Sequence, residues 1–239
     1  MGYLSFLNKA KLTIKGKITR AALILHGKEE ADHLLIPAEI KIRWKLVGGE
    51  NNEIDNEIYG VSLILSVEKV FVKIRNVKYL YMKEETIFPE EISKYEPFSI
   101  REAINNCIAH QDYTKGACIN VVEMEDYLVF TNYGSFIPGS VERIVIEDAP
   151  EEFYRNKFLV TAMFNLKMVE TASGGIEKIF NYQRARFFPM FDYDLSDGKV
   201  KVTISSKVLN LDYAFYWHSI KISPWKILWH WIRCRRKSL

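Results

Sequence analysis

The sequence predicts an α/β protein whose second half is a two-layer sandwich, with helices over one face of a mixed or antiparallel sheet. Three observations carry this. Ala38 to Leu46 alternates Ile40, Ile42, Trp44 and Leu46 against Glu39, Lys41, Arg43 and Lys45, the period of a half-buried strand. Pro97 to Tyr113 carries Ile100, Ala103, Ile104, Cys107 and Ile108 at helical spacing. Two hairpin signals follow, Ala117–Met124 with Tyr127–Asn132, and Phe187–Asp194 with Lys199–Ser205, the second closed by a tight Asp197-Gly198 turn.

The remaining elements fill in around these. Tyr3 to Leu12 reads as the end of a helix and Lys15-Gly16-Lys17 as a turn. Ile18 to Gly27 suits a short helix stopped by Gly27. Gly48 to Asn56 is polar and acidic and reads as a loop. Within Tyr59 to Ile74, Val61, Leu63, Leu65 and Val67 alternate, but the length of the run and its continuation through Val70 and Phe71 favour a helix. Tyr79–Met82 and Glu85–Pro89 read as a strand or extended segment. Glu90 to Pro97 is a polar lead that marks a domain boundary. This divides the chain into an α+β linking domain (1–97), a larger α/β domain (98–212) and a tail (213–239). In the larger domain, Asn132 to Phe136 reads as a turn, and Gly139 to Ile146 as a short segment before the acidic stretch Glu147–Glu152. Arg155 to Val169 is a helix, Ser173-Gly174-Gly175 breaks it, and Ile176 to Tyr182 starts another.

Composition narrows the setting. Hydrophobic content of 48% and charged content of 26% are ordinary for a globular protein. The formal charge of +3 is uneven: from Lys221 onward there are six basic residues and no acid, so the body before it is slightly acidic. A broad basic surface on the body is therefore not expected. The three cysteines lack metal-ligand or paired spacing, and the N-terminus has neither a signal-peptide layout nor an apolar run of about 18 residues. A reducing, cytoplasmic setting is expected. The tail holds Trp217, Trp225, Trp229 and Trp231 and ends in Arg233-Cys234-Arg235-Arg236-Lys237. It suits a contact with a membrane surface or an anionic partner, or an ordinary helix whose cationic end complements its dipole.

The helix after Pro97 carries more than its apolar stripe. Glu102, Asn106 and His110 recur at i, i+4 and i+8, stacking a carboxylate, a carboxamide and an imidazole on one face. Two readings stand side by side. Ser99 and Glu102 have capping-box spacing, and His110 would suit a helix C-terminus. Alternatively the column is a site for a phosphorylated ligand. The Asn106 amide oxygen is a hard donor for Mg²⁺, Glu102 could polarise a water, and Gly174 and Gly175 would admit phosphates to backbone N–H groups.

Arg101-Glu-Ala-Ile-Asn-Asn-Cys-Ile-Ala-His-Gln-Asp-Tyr113 resembles the R-E-A-(x)2-N-(x)3-H-R-D-Y signature of bacterial and archaeal Schlafen/Alba-like ATP-binding regulators, once labelled divergent AAA ATPases or RecG-like helicases. The C-terminal half of that family is GHKL-like, with the Bergerat fold of gyrase and histidine kinases. Tyr127 to Phe136 resembles the family's D-R-(x)-E-(x)-x-N-P-G-G-L segment, Arg155-Asn156 its R-N pair, Val169 to Ile176 its V-E-x-x-G-x-G-I, and Lys17 to Lys28 its linking segment. The resemblance implies ATP and Mg²⁺ as ligands. It makes Glu102 the water activator, Asn106 the metal ligand, Asn132 and Gly134 the turn facing adenine, and His110, Arg155, Asn156, Gly174 and Gly175 further nucleotide contacts. Asn132 stands where GHKL ATPases use an aspartate, Gln111 replaces an arginine, Tyr133 and Ser135 replace Pro and Gly, and no long glycine-rich lid is evident. Hydrolysis is therefore expected to be weak or absent. The expected function is a Mg-nucleotide-binding module of a transcriptional regulator, compatible with a homodimer, and possessing DNA contacts through its tail or through modules outside this chain. The alternative is a non-catalytic DNA-associated or protein-interaction domain with a degenerate nucleotide site.

Overall fold

A computed structural model describes residues 2–81, 87–137, 139, 154–169, 179, 182–183 and 191–207. Helix α1 (Tyr3–Lys9) leads into a small hairpin, β1 (Thr13–Ile14) and β2 (Lys17–Ile18). Thr19 then caps α2 (Arg20–His26): its Oγ1 accepts from Ala22 N at 3.2 Å, satisfying one of the free donors of the first turn. Gly27 closes α2, where a Cβ would lie 2.2 Å from Leu23 O, so only glycine fits.

Strand β3 (Ile42–Val47) has the alternation expected of it, with Ile42, Trp44 and Leu46 buried. It is followed by an unexpected strand, β4 (Glu53–Tyr59), where a loop from Gly48 to Asn56 was expected. β4 lies at the sheet edge and buries only Tyr59, so it has no apolar period to betray it. Its acids instead face cations: Glu53 pairs with Lys45, and Asp55 and Glu57 with Lys73 at 3.0 and 3.1 Å. The expected helix follows as α3 (Leu63–Lys73), burying Leu63, Val67 and Val70. The segment read as a polar lead contains a second unexpected strand, since β5 (Lys78–Tyr81) pairs with β6 (Glu90–Ser93).

Helix α4 (Pro97–His110) starts at Glu96, with Pro97 in the first turn. Ser99 is therefore inside the helix, fully buried, with its Oγ lacking a hydrogen-bond partner. The capping box expected from Ser99 and Glu102 does not form. Beyond α4 come β7 (Ile119–Glu123), β8 (Tyr127–Tyr133), α5 (Lys157–Asn165), β9 (Asp192–Asp194) and β10 (Lys199–Ser205). β8 runs through Asn132 and Tyr133, so the expected turn begins only at Gly134. α5 is shorter at both ends than the Arg155–Val169 helix expected. At Asp197 and Gly198 both φ angles are positive (55° and 63°), as the tight turn requires. Gly174, Gly175, Glu147–Glu152 and the tail from 213 lie outside the described residues.

Six strands form one mixed sheet in the order β4-β3-β7-β8-β10-β9. β3 and β7 are parallel and the other neighbours antiparallel, so the sheet crosses the boundary expected at residue 97. α4 packs on β8, α3 on α4 and on β3–β4, and α2 on α3 and α5. Ile100, Ile104 and Ile108 of α4 join Ile119, Leu128 and Phe130 in the core. Each such side chain contributes roughly 1.5–3 kcal/mol by leaving water. At the end of β7, Glu123 is 1% exposed. It accepts from Trp44 Nε1 at 3.2 Å and from Arg75 Nε at 2.7 Å, tying β7 to β3 and to the segment leaving α3.

Candidate functional site

Helix α4, the end of β8 and the residues leading into α5 carry seven of the nine expected site residues, with Glu102 and Asn106 side by side and His110, Gly134, Arg155 and Asn156 gathered at the end of α4. Helical spacing puts Glu102, Asn106 and His110 on successive turns of α4. Glu102 is 9% exposed, and Asn106, partly buried, donates from Nδ2 to Glu102 Oε1 at a long 3.4 Å. With Nδ2 turned to Glu102, the amide holds Oδ1, its hard donor, on its other side. Tyr193 of β9, not anticipated from sequence, faces the same carboxylate: burial, and then the Glu102 charge, raise its phenol above the usual range. Its ring lies 6.5 Å from that of Phe136.

His110 stacks on Tyr154, with ring centroids 6.0 Å apart and planes 25° from parallel. Burial, and second the Arg155 guanidinium, lower its pKa to about 4. At neutral pH the ring is uncharged, able to accept or donate one hydrogen bond but bringing no positive charge to an anion. Cys107, on the buried side of the same helix, has its thiol pushed up to about 12 by burial and is inert as a nucleophile.

Arg155 bridges the two sides of the site. Its Nη2 donates to Ser135 O at 3.0 Å and Ser135 Oγ at 3.1 Å, and its Nη1 lies 3.7 Å from Asp112. Its Nε is buried without a hydrogen-bond partner. Gly134 makes this possible: φ is +127°, and a Cβ there would meet Arg155 Nε, Cζ and Nη2 at 3.1–3.2 Å. A bond from Thr114 Oγ1, with Arg155 and Lys115 nearby, holds the Asp112 carboxyl below the usual range.

Two further residues act as scaffold. Asn156 donates from Nδ2 to Ala109 O at 3.0 Å and Gln111 O at 2.8 Å, satisfying carbonyls at the end of α4. Both amide hydrogens are used there, so Asn156 joins α5 to α4 through them and offers no donor to a nucleotide. Gln111, noted from sequence only as a departure, is fully buried; it donates to Ala117 O at 2.5 Å and accepts from Tyr133 N at 2.8 Å. Asn132 is 3% exposed, and its Nδ2 has a marginal 3.5 Å contact to Tyr133 O. Tyr154 and Tyr193 belong to no spacing pattern, and tertiary structure alone brings them to α4; Gln111 is the C-cap of α4, and its structural role follows from its contacts with Ala117 and Tyr133.

Among the described residues no three His, Cys, Asp or Glu side chains cluster as a metal site. Glu102 and Asn106 are nonetheless hard oxygen donors one turn apart, a set suited to a Mg²⁺ ion that keeps most of its waters. No helix of the described residues is long and apolar enough to cross a membrane.

No protein-family model matches the chain, and no curated protein matches it. The crystal structure of the DIP2311 protein from Corynebacterium diphtheriae is similar, with a TM-score of 0.71 over 86% of this chain at 14% identity. The match spans 41% of that protein's length. At this identity the likeness shows a shared fold and nothing further.

Proposed function

We propose that the chain is a cytoplasmic Mg-nucleotide-binding module of a transcriptional regulator, with ATP as the ligand and weak or absent hydrolysis. The observation that carries this reading is the Glu102–Asn106–His110 column on α4, whose carboxylate is not used by a helix cap. Support also comes from order: α4, the β7–β8 hairpin, Asn132 and Gly134, α5 and the β9–β10 hairpin follow one another as the GHKL resemblance requires. In this reading Asn106 Oδ1 would hold Mg²⁺, which would bridge phosphate oxygens. Glu102 would orient water, and neutral His110 would contact the ligand without adding charge. Arg155, loosely paired with Asp112 at 3.7 Å, would turn toward a phosphate.

Isothermal titration of the full chain with ATP and Mg²⁺ tests this. Heat that depends on Mg²⁺ is expected, and Asn106→Ala should remove the Mg²⁺ dependence with the fold intact. No heat from a folded sample, or an unchanged Mg²⁺ response in the variant, overturns the reading. A second reading, a non-catalytic DNA-associated or protein-interaction domain, is favoured by one observation: Asn156 and Gly134 are both committed to holding α5 and Arg155 in place. A homodimer is compatible with either.

A further inference from the structure

The slightly acidic average of the body hides a surface assembled from two segments far apart in the chain. Residues 2–28 contain Lys9, Lys11, Lys15, Lys17, Arg20 and Lys28, and residues 154–169 contain Arg155, Lys157 and Lys167. Neither segment has an acidic residue, so nine of the chain's 33 basic residues and none of its 30 acidic ones fall in them. The fold packs the two together: α2 lies on α5, and Asn165 Nδ2 donates to Lys9 O at 3.2 Å, joining the end of α5 to the end of α1. Acids begin again at Glu29, Glu30 and Asp32, on the turn after α2.

Six cations elsewhere in the fold are neutralised locally. Lys41, Lys45, Lys73, Arg75, Lys78 and Lys207 each pair with a carboxylate. Arg155 faces Asp112. The other eight cations of the two segments are exposed, and none has an ion-pair partner among the described residues. Lys15 and Lys17 flank Gly16 at the tip of the β1–β2 hairpin, with Lys11 at its base. Beside them Tyr3 and Phe6 of α1 are 87% and 50% exposed.

We propose that this surface binds nucleic acid, the cations of the β1–β2 hairpin and α5 meeting phosphates and the α1 rings stacking on unpaired bases. A concentration of positive charge without neighbouring acids is the electrostatic footprint of a polyanion site, and exposed rings beside it give sequence-tolerant stacking. A membrane surface is the poorer fit. Tyr3, Leu4, Ser5, Phe6, Asn8 and Lys9 are all exposed on one seven-residue helix, so α1 does not divide into an apolar face and a charged one. The proposal is independent of the nucleotide site, and its test contains no ATP.

The test is fluorescence anisotropy of the full chain with a labelled single-stranded oligonucleotide and its duplex, between about 50 and 300 mM salt. Binding that weakens with salt is expected, tighter for the single strand. Lys11→Glu/Lys15→Glu/Lys17→Glu should lower affinity at least about tenfold at low salt and flatten the log–log salt slope by about 2. Circular dichroism checks that the variant folds, and Lys→Gln at the same positions replaces it if it does not. An Arg233→Ala/Arg235→Ala/Arg236→Ala chain should keep the hairpin-dependent part of the binding. No binding of either oligonucleotide overturns the proposal. So does loss with the tail variant alone, or hairpin-dependent binding to phosphatidylserine vesicles in place of nucleic acid.

Discussion

Two buried glutamates, Glu102 on α4 and Glu123 on β7, are held in different ways. Glu123 is held short: Arg75 Nε at 2.7 Å and Trp44 Nε1 at 3.2 Å reach it from two other elements, and the Arg75 backbone N–H points at both of its oxygens. Glu102 is met by its own helix at 3.4 Å through Asn106 and faces the ring of Tyr193. The first arrangement fixes strands and would lose stability if disturbed. The second keeps a carboxylate and a carboxamide side by side in a form that a cation could join. Burial alone therefore does not distinguish a structural carboxylate from a candidate chemical one; a carboxamide one helical turn away marks Glu102, and donors from other elements mark Glu123.

The largest effect that would sharpen this contrast is expected from Glu123→Ala. Removing Glu123 leaves the buried Trp44 indole N–H without its acceptor, while the half-exposed Arg75 guanidinium returns to water, for a loss of about 2–3 kcal/mol. Denaturant unfolding measures it, and a loss below about 1 kcal/mol would show that the network contributes little. Asn156→Ala should follow, costing about 2 kcal/mol for its two bonds to the end of α4. A midpoint close to wild type would mean that water replaces the amide there.

Next comes pH. The His110 pKa is lowered to about 4 in the folded protein, so the unfolded chain takes up its proton first, near pH 6.5. The stability due to the neutral ring is complete above that value and is lost as pH falls from about 6.5 towards 4. Since the ring is only partly buried, about 1–2 kcal/mol is expected. Comparing unfolding curves of wild type and His110→Gln across this window isolates it, and parallel pH profiles would refute the assignment. The smallest stability effect is expected from Glu102→Gln, within about 1 kcal/mol, because the replacement keeps the volume and the helix. If it instead destabilises as much as Glu123→Ala, the distinction between the two glutamates is broken.

Legibility from sequence followed the range of the interactions. Thr19 and Gly27 mark α2, β3 shows in its alternation, and Asp197-Gly198 marks a turn, because each signal lies within a few residues. β4 was invisible since an edge strand stabilised by its ladder and by cross-strand ion pairs needs no apolar period. Ser99 has capping-box spacing, but Glu96 is the N-cap and Pro97 starts the helix three residues earlier than the box would. In the site, the α4 column is readable from spacing, whereas Tyr193 and Tyr154 reach it only through the fold. Glu123 has a sign in the sequence as well, since it shares the strand parity of Ile119 and Val121, the buried face of β7.

The parallel pairing of β3 with β7 has a consequence for synthesis. Trp44 and its partner Glu123 are 79 positions apart, and β3 stands between β4 and β7 in the sheet. As the chain leaves the ribosome, β3 can pair with β4 at once, but its other edge stays open until β7 has emerged. During that interval the row Ile42, Trp44 and Leu46 has no sheet to complete it, and a strand edge in that state invites pairing with another chain.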